Sequence, residues 1–557
     1  MYKQVLVVGA GPTGLAFAAV CLRLGLSVRL VEKKSGPSIT SKAIGLQYRV
    51  SEILACMGVA DRFLRRSGSP TTVNMYAQSR RLVSLQFKTE GHESGCGAFQ
   101  PRPLMIAQSE TEEILGDVVR ERGGDIEWNT ELTGLTQNAE RVVAQLRLPD
   151  GTEQFAACDW LVSCEGAHSI ARNAIGAEFA GKTYPLAFVM ADVELRGAIA
   201  PGENHVWMHP DGSFAALPFP QKDRWRLFVE VTRQPRRSSA NVDLAMIREL
   251  MKERIGDIAL HIDNPTWISP FGINCRLVDR YRRGRVLLAG DAAHIHSPTG
   301  GQGIATGIQD AINLAWKLAR VIAGAPADLL DTYEHERRAH AEEVLHETNR
   351  TTSIFFAPTP FARILRDGIV LPLLRSAWVQ RRMFAKLSQL HVHYRRSRLS
   401  RDDRPLWSLH TGLRPGERAP DFLLRHHAGT PRTSLFELLS SGRPLALVGP
   451  GEAAYVRIDA LLALLGSFSV EAWIVVGRQA APWQGHSRAL TDTHRELERL
   501  YGLRGEFLCL IRPDDHIGLI QAPIDEAALR AYLRYISPPP RIQLQAQPSA
   551  QSTLHNA

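Results

Sequence analysis

Apolar runs and polar breaks divide the chain into segments of different period. Val5-Leu6-Val7-Val8 is an unbroken apolar run of strand length, Gly9–Gly14 is a glycine-rich turn, and Leu15 to Gly25 has the apolar content of a buried helix. Leu26 to Glu32 follows as a second strand closed by an acid. This order predicts a βαβ unit and a parallel sheet. Ser41–Arg49 leads into an amphipathic helix through Ile53, Leu54 and Met57, and residues 71–100 are short and strand-like. A helix is expected over Ser109–Arg122, and Glu127–Leu148 alternates as a hairpin closed by Pro149-Asp150-Gly151. Trp160–Cys164 then returns as a buried strand ending in Glu165-Gly166.

The pattern changes over 180–275. Phe188–Leu195, His205–Met208, Phe214–Leu217 and Arg226–Glu230 are strand-like, and one helix, Val242–Ile255, interrupts them. A mostly antiparallel sheet inserted into the first domain is expected, forming one wall of a substrate cavity. Arg285–Ala289 is again a buried-type strand. It runs into Gly290-Asp291, a turn over 297–303, and a helix whose face carries Ile304, Ile308, Ala311, Ala315, Leu318 and Ile322. Helical sequence continues over 331–350 and less regularly to about 395, broken at Pro358 and Pro360.

Polar and turn-rich sequence at 400–415 marks a boundary. Beyond it come strands at 445–448, 471–476, 507–511 and 517–521, with helices at 456–465, around 490–500 and at 525–535. These describe a compact α/β module. The Pro-, Gln- and Ser-rich end is expected to be disordered. The division expected is 1–180 with 276–400, then 181–275, 412–537 and a tail at 538–557.

At 557 residues the chain exceeds one hydrophobic core. With 44% hydrophobic and 22% charged residues it has an ordinary globular composition, and no apolar run reaches membrane-spanning length. The first strand begins too early for a signal peptide, so a cytoplasmic location is expected. Seven scattered cysteines without a CxxC pair suggest neither a disulfide framework nor a zinc site. The net charge of +9 is carried in short dispersed groups such as Arg236-Arg237, Arg282-Arg283 and Arg395-Arg396, which does not indicate nucleic-acid binding. His294 with His296, and His391 with His393, lack partners at ligand spacing, so no metal is expected.

The candidate chemistry lies in the turns. Gly9, Gly11 and Gly14 suit a tight turn, room for a pyrophosphate and close helix–strand packing, and Glu32 is placed to accept from a ribose. These residues alone leave FAD and NAD open. Leu447–Ala454 is a second strand–turn–helix glycine stretch, answered by Arg478, and a separate NADP site there is an alternative. Pro450 and Glu452 crowd and charge the place where a phosphate would sit.

Taken in order, Gly9–Gly14 with Glu32, Cys164–Ser169 with Arg172, and Gly290–His294 with Pro298 and Gly300–Gly303 resemble the motifs of the FAD-dependent aromatic hydroxylases, the class A flavoprotein monooxygenases. The resemblance spans about residues 1–400. The final module resembles the thioredoxin-like C-terminal domain of the phenol- and polyketide-hydroxylase branch. The implied fold is α/β: a Rossmann-like FAD-binding domain, an inserted antiparallel substrate sheet, a helical linker region and a thioredoxin-like domain.

The resemblance implies FAD as cofactor, NADPH or NADH as co-substrate, and O2. The substrate implied is a small aromatic compound, phenolic or polyketide, hydroxylated through a flavin C4a-hydroperoxide; a homodimer is compatible with it. Gly9, Gly11, Pro12, Thr13 and Gly14 would face the pyrophosphate, with Glu32 and Lys33 on the adenosine side. Lys42, Arg49, Gln108 and Arg172 would add cofactor contacts, and Glu165 and Gly166 would serve both FAD and the nicotinamide cofactor. Gly290 and Asp291 would hold the ribityl chain, and Pro298, Gly301, Gln302, Gly303 and Ile304 would lie near the flavin ring. His205, His209 and Tyr184 are candidates for a base, each also readable as an ordinary packing or surface residue. Three positions depart from the family pattern: Glu165 for Asp, Lys42 for Arg and Ala305 for Asn. Epoxidation, Baeyer–Villiger insertion, hydride transfer without oxygenation, and a non-catalytic flavin-binding role are the alternatives.

Overall fold

The computed structural model describes all residues except 1–2, 39–42, 71, 87–97, 233–241, 257, 298–300, 357–359, 406–411, 427–431, 453–454, 478–482, 484–485 and 539–557. The tail expected to be disordered therefore lies, from 539 onward, outside the described residues.

Three eight-stranded sheets carry the architecture. In the first, Lys3–Val8 lies between Val28–Val31 and Glu153–Ser163, parallel to both, and Val286–Leu288 is parallel to Glu153–Ser163 on its far side. Val5 to Val8 are buried on both faces, as an unbroken apolar run requires in a parallel sheet. Helix Pro12–Arg23 packs against helices Gly303–Ile322 and Gln108–Glu121. Its buried Ala16, Ala18 and Ala19 allow that close approach.

The second sheet is built on two 19-residue strands, Phe179–Gly197 and Leu260–Val278, paired antiparallel from end to end with two irregularities. Helix Leu244–Ile255 covers one face, over Val189, Ala191, Trp207, Phe214 and Leu227. This sheet is not the continuous insertion expected over 181–275. Strand Asn204–Trp207 pairs parallel with Thr72–Ala77, which forms a hairpin with Arg80–Gln86, and His294–Ile295 closes the opposite edge. Parallel pairing between distant segments leaves no local sequence signature, because neither turn nor spacing marks it.

The third sheet belongs to the C-terminal module. Leu445–Pro450 pairs parallel with Glu471–Val476 and antiparallel with Glu506–Ile511, which pairs antiparallel with Ile517–Gln521. The helix expected around 490–500 is only Glu496–Arg499, preceded by strand Ala489–Thr491. Asp492 accepts from the N–H groups of Glu496 and Leu497 and fixes that late start.

The module is welded to the first domain through a core and through buried charge. Trp316, Leu329 and Leu24 pack with Ile458, Leu461 and Leu529. Glu336 accepts from Arg512 Nη1 and Nη2 at 2.7 and 2.8 Å, and from Lys317 Nζ and Asn313 Nδ2 at 2.7 Å each. Arg512 Nε also donates to Asp514 at 2.9 Å. Burial would raise the Glu336 carboxyl, but Arg512 and Lys317 outweigh it and hold it well below the usual carboxylate range.

Candidate cofactor site

The first half of the site grows from the end of strand Lys3–Val8. Gly9 has φ +104°, and a Cβ there would lie 2.4 Å from the Cys164 carbonyl oxygen. A Cβ on Gly14 would lie 1.9 Å from the Gly9 oxygen, so both positions require glycine. A Cβ on Gly11 would meet nothing within 4 Å. That opening faces the start of helix Pro12–Arg23, which has no side-chain cap and offers its first N–H groups to an anion. Glu32 accepts from Ala10 N at 2.8 Å and Lys34 N at 3.1 Å and is nearly buried; a carboxylate with two such partners keeps lone pairs for ribose hydroxyls. Lys33 is exposed beside it.

The second half is the short turn Gly290–Ala292 after strand Val286–Leu288. Gly290 has φ +60°. Thr13 joins the halves: added Cβ atoms on Gly290 and Gly307 would lie 2.7 and 2.3 Å from its Oγ1. Asp291 is exposed on the turn. Beneath it, Asp310 Oδ2 accepts from Gly290 N at 3.0 Å and from His294 Nε2 at 2.7 Å, while Oδ1 accepts from Arg337 Nε at 2.6 Å. Arg337 also donates to the Thr306 carbonyl at 3.1 Å and to Tyr394 Oη at 2.8 Å. The turn that presents Asp291 is thus fixed from below.

Burial opposes the ionised form of Asp310, but His294 and Arg337 overcome it and bring its pKa to about 2, below the ordinary 3.8. As pH falls the unfolded chain takes up this proton first. The stabilisation, about 2 kcal/mol, is fully present above pH 3.8 and is lost as pH falls through about 2. The urea stability of Asp310→Asn should therefore lie below wild type at neutral pH and approach it toward pH 2. A gap that stays constant with pH would contradict this role.

Two further clamps close the site. Glu165 accepts from Ser163 Oγ and Ser169 Oγ at 2.7 and 2.8 Å, and from Ile170 N and Ala171 N at 3.1 Å each. Its extra methylene reaches the start of helix Ile170–Ala174, so the carboxylate holds the loop from behind. Gly166, with φ +80°, has open space where a Cβ would point. Arg172 donates to the Ala292 carbonyl at 3.2 Å and the Ala167 carbonyl at 2.8 Å, tying this loop to the Gly290–Ala292 turn. On the other flank Gln302 Oε1 accepts from Gln389 Nε2 at 3.2 Å, and Gln309 Nε2 donates to Gln389 Oε1 at 2.7 Å. Gly301, at φ +61°, is exposed, while Gly303 and Ile304 are half-buried at the start of the helix and Ala305 is fully buried.

Residues 2–348 match the family model described as an FAD binding domain. The chain belongs to this family of FAD-binding monooxygenases. It is 33% identical over 404 residues to 6-methylpretetramide 4-monooxygenase of Streptomyces rimosus, covering 71% of each chain. It is 30% identical over 531 residues to pentachlorophenol 4-monooxygenase of Sphingobium chlorophenolicum, covering 92% of this chain and 93% of that one. The solved structure of anhydrotetracycline hydroxylase from Streptomyces rimosus superposes with a TM-score of 0.75 at 28% identity, covering 97% of this chain and 100% of the other. The enzyme is an FAD-dependent monooxygenase, and its residues fit that cofactor: an open turn at Gly11, a free helix start, Glu32 on the first half and Asp291 on the second.

Several residues expected in this monooxygenase site stand elsewhere. Arg49 is buried with its guanidinium on Asp515, Glu52 and the Asp514 carbonyl; the bond from Nη1 to Asp515 Oδ2 is 2.7 Å. It binds the C-terminal module, and a guanidinium so committed has none of those donors left for a phosphate. His205 accepts at Nδ1 from Tyr76 Oη at 3.0 Å and donates from Nε2 to the Ala200 carbonyl at 3.1 Å. Burial lowers its pKa, and it is stacked against Tyr76 and Trp207. With both nitrogens used it is a packing histidine, not a base. His209 Nδ1 accepts from Asp211 N at 3.2 Å, closing a local turn. Tyr184, by contrast, packs on the Phe188 and Cys275 cluster; its hydroxyl is buried with no hydrogen-bond partner among the described residues, and Lys182 lies 4.7 Å above its ring. Gln108 Nε2 donates to Glu112 at 2.8 Å, and Glu112 accepts from Ser38 N, so Gln108 supports the segment entering 39–42. Lys42 and Pro298 lie outside the described residues.

The second glycine turn holds strands together. A Cβ on Gly449 would lie 2.2 Å from the Phe507 ring, and one on Gly451 2.9 Å from Glu506 N, so each glycine makes room for protein. Arg478 is outside the described residues. Asp310 and Arg337 were the residues that pattern reading passed over. Their signal was an acid set within the apolar stripe of Ile308, Ala311 and Ala315.

Proposed function

We propose that this monooxygenase uses NADPH or NADH and O2 to hydroxylate a phenolic or polyketide aromatic compound. The observation that carries the reading is an aromatic patch on the second sheet beside the second half of the cofactor site. Phe188 stacks on Phe271 at 5.4 Å and meets Phe356 edge-on at 5.2 Å, and Phe228 meets Phe271 at 6.3 Å. Cys275 of the same cluster sits against the Ser297 backbone, immediately before 298–303. Rings in these offset and edge-on arrangements suit a planar aromatic guest. By their names, the relatives 6-methylpretetramide 4-monooxygenase and pentachlorophenol 4-monooxygenase act on 6-methylpretetramide and pentachlorophenol, in line with this reading.

FAD would supply the electron transfer and oxygen chemistry. The chain's own work is to bind and orient. The Gly9–Gly14 turn and its helix start would hold the pyrophosphate, Glu32 a ribose, and Asp291 the ribityl hydroxyls. Gly301 to Ile304, at the opening of a long helix, would favour negative charge near the ring. Tyr184, with its buried hydroxyl, is the remaining candidate among those proposed for a proton-handling role. The C-terminal module, with one strand parallel and one antiparallel to Leu445–Pro450, is proposed to be thioredoxin-like and, lacking CxxC, to act in packing. No helix among the described residues is long and apolar enough to cross a membrane. The working location proposed is the cytoplasm.

The test is purified protein carrying FAD, assayed for NADPH and NADH oxidation with pentachlorophenol and 6-methylpretetramide as probes and with mass analysis of products. Stimulated oxidation is expected, with one oxygen atom gained on an aromatic ring of 6-methylpretetramide and, on pentachlorophenol, whose other ring carbons all carry chlorine, oxygen in place of one chlorine with release of chloride. Oxygen placed at a non-aromatic carbon, or turnover without oxygen, would overturn it.

A further inference from the structure

Six of the large apolar side chains that stand in water in this enzyme come from one short stretch. Phe361, Ile364, Leu365, Ile369, Leu373 and Trp378 are between 46% and 76% exposed. They lie on a broken helical run: Pro360–Leu365, Arg366–Val370, Leu371–Leu373 and Ala377–Leu387. The run is already anchored by its other face. Leu371, Leu374, Val379 and Met383 pack with Met75, Val83, Leu85 and Met208 at the hairpin edge of the second sheet, and Phe384 meets the Tyr48 ring edge-on at 4.8 Å. The outer apolar face therefore does nothing for folding. Exposed apolar surface concentrated this way marks a contact site.

Charge selects the occupant. Residues 360–387 contain Arg363, Arg366, Arg375, Arg381, Arg382 and Lys386 against one acid, Asp367. Arg375, Arg381 and Arg382 are exposed, whereas Lys386 is paired with Glu347 and Arg366 is buried, donating to the Phe355 carbonyl at 2.9 Å. Arg375 donates from Nε and Nη2 to the neutral Leu82 carbonyl at 3.1 and 2.8 Å, and Arg382 lies 5.2 Å from the Trp378 ring. A second copy seated on this face about a twofold axis would set these cations against themselves. An anionic lipid surface meets both features at once: acyl chains and headgroups take the Phe, Ile, Leu and Trp side chains, and lipid phosphates take the arginines.

We propose that residues 360–387 form a peripheral docking face for anionic membrane lipid, with the outer apolar side chains inserted at the headgroup boundary. The stretch is short and interrupted, so it lies on a bilayer and does not span it. The inference is independent of the substrate reading.

Flotation of the FAD-loaded enzyme with vesicles tests it. Binding is expected to vesicles of equal parts phosphatidylglycerol and phosphatidylcholine, and to be about tenfold weaker on phosphatidylcholine alone or in high salt. The triple variant Ile364→Ser, Ile369→Ser, Trp378→Ser changes only exposed positions and should retain FAD and circular dichroism while losing vesicle binding at least tenfold. Arg381→Gln with Arg382→Gln should lose binding to anionic vesicles and its salt sensitivity. Wild-type enzyme that stays unbound, or a triple variant that binds as wild type does, overturns the proposal. So does self-association in sedimentation velocity that the triple variant abolishes, which would assign the face to a second copy.

Discussion

Glu336→Ala is expected to destabilise the enzyme by about 3–5 kcal/mol, read as a shift in the urea midpoint at neutral pH. The side chain is fully buried where helix Asp331–Phe355 meets the C-terminal module, and Arg512, Lys317, Asn313 and Ser397 all donate to it. Removing the carboxylate leaves Asp514 as the acid facing two buried cations. Burial already pushes the Lys317 ammonium down to about 8, with Glu336 the chief force opposing that fall. A medium that penalises charge this strongly makes an orphaned partner costly. Lys317→Met added to Glu336→Ala should recover part of the loss by removing one unpaired cation, a coupling a double-mutant cycle measures. A single variant within about 1 kcal/mol of wild type would show that the network is not a stabilising weld.

Asp291→Ala is expected to weaken FAD binding by about 10- to 100-fold, the worth of one or two charge-assisted hydrogen bonds to the cofactor. The turn itself should survive, because Gly290 is held through its backbone N–H by Asp310 and Ala292 through its carbonyl by Arg172. Flavin content after dialysis and the dissociation constant from fluorescence titration give the effect, and Asp291→Asn should fall between the two. Wild-type flavin content in the alanine variant would remove Asp291 from the site. Unchanged urea stability of the cofactor-free variants would separate lost binding from lost folding.

The sheet that carries the cofactor could be read from the sequence because its signals are local. Strand Lys3–Val8, its turn and helix Pro12–Arg23 are contiguous, and Gly9 and Gly14 are forced by the adjoining chain at Cys164 and by the Gly9 carbonyl, while Gly11 leaves open space. Gly290-Asp291 was legible for the same reason. What escaped notice was set by contacts between separate elements, from 16 residues apart for His294 and Asp310 to 466 for Arg49 and Asp515. Arg49 was expected to add a cofactor contact, yet its partner is Asp515. His205 looked like a base because the strand pattern alone does not say which face its ring takes, and it took the face under helix Leu244–Ile255 with Trp207 and Trp225. The hairpin Thr72–Gln86 joined the second sheet through a parallel pairing with no sequence mark. Asp310 was disguised by its helix, since a buried carboxylate is legible only with Arg337 and His294 beside it.

Arg49 and Asp515 are separated by 466 residues of chain, and that distance sets an order of events during synthesis. At ribosomal speed Arg49 emerges roughly half a minute to a minute and a half before its carboxylate exists. Lys317 likewise waits for Arg512 and Asp514 to complete the network around Glu336. The buried charges that join the first domain to the C-terminal module therefore find their native partners only after Arg512, Asp514 and Asp515 have been made.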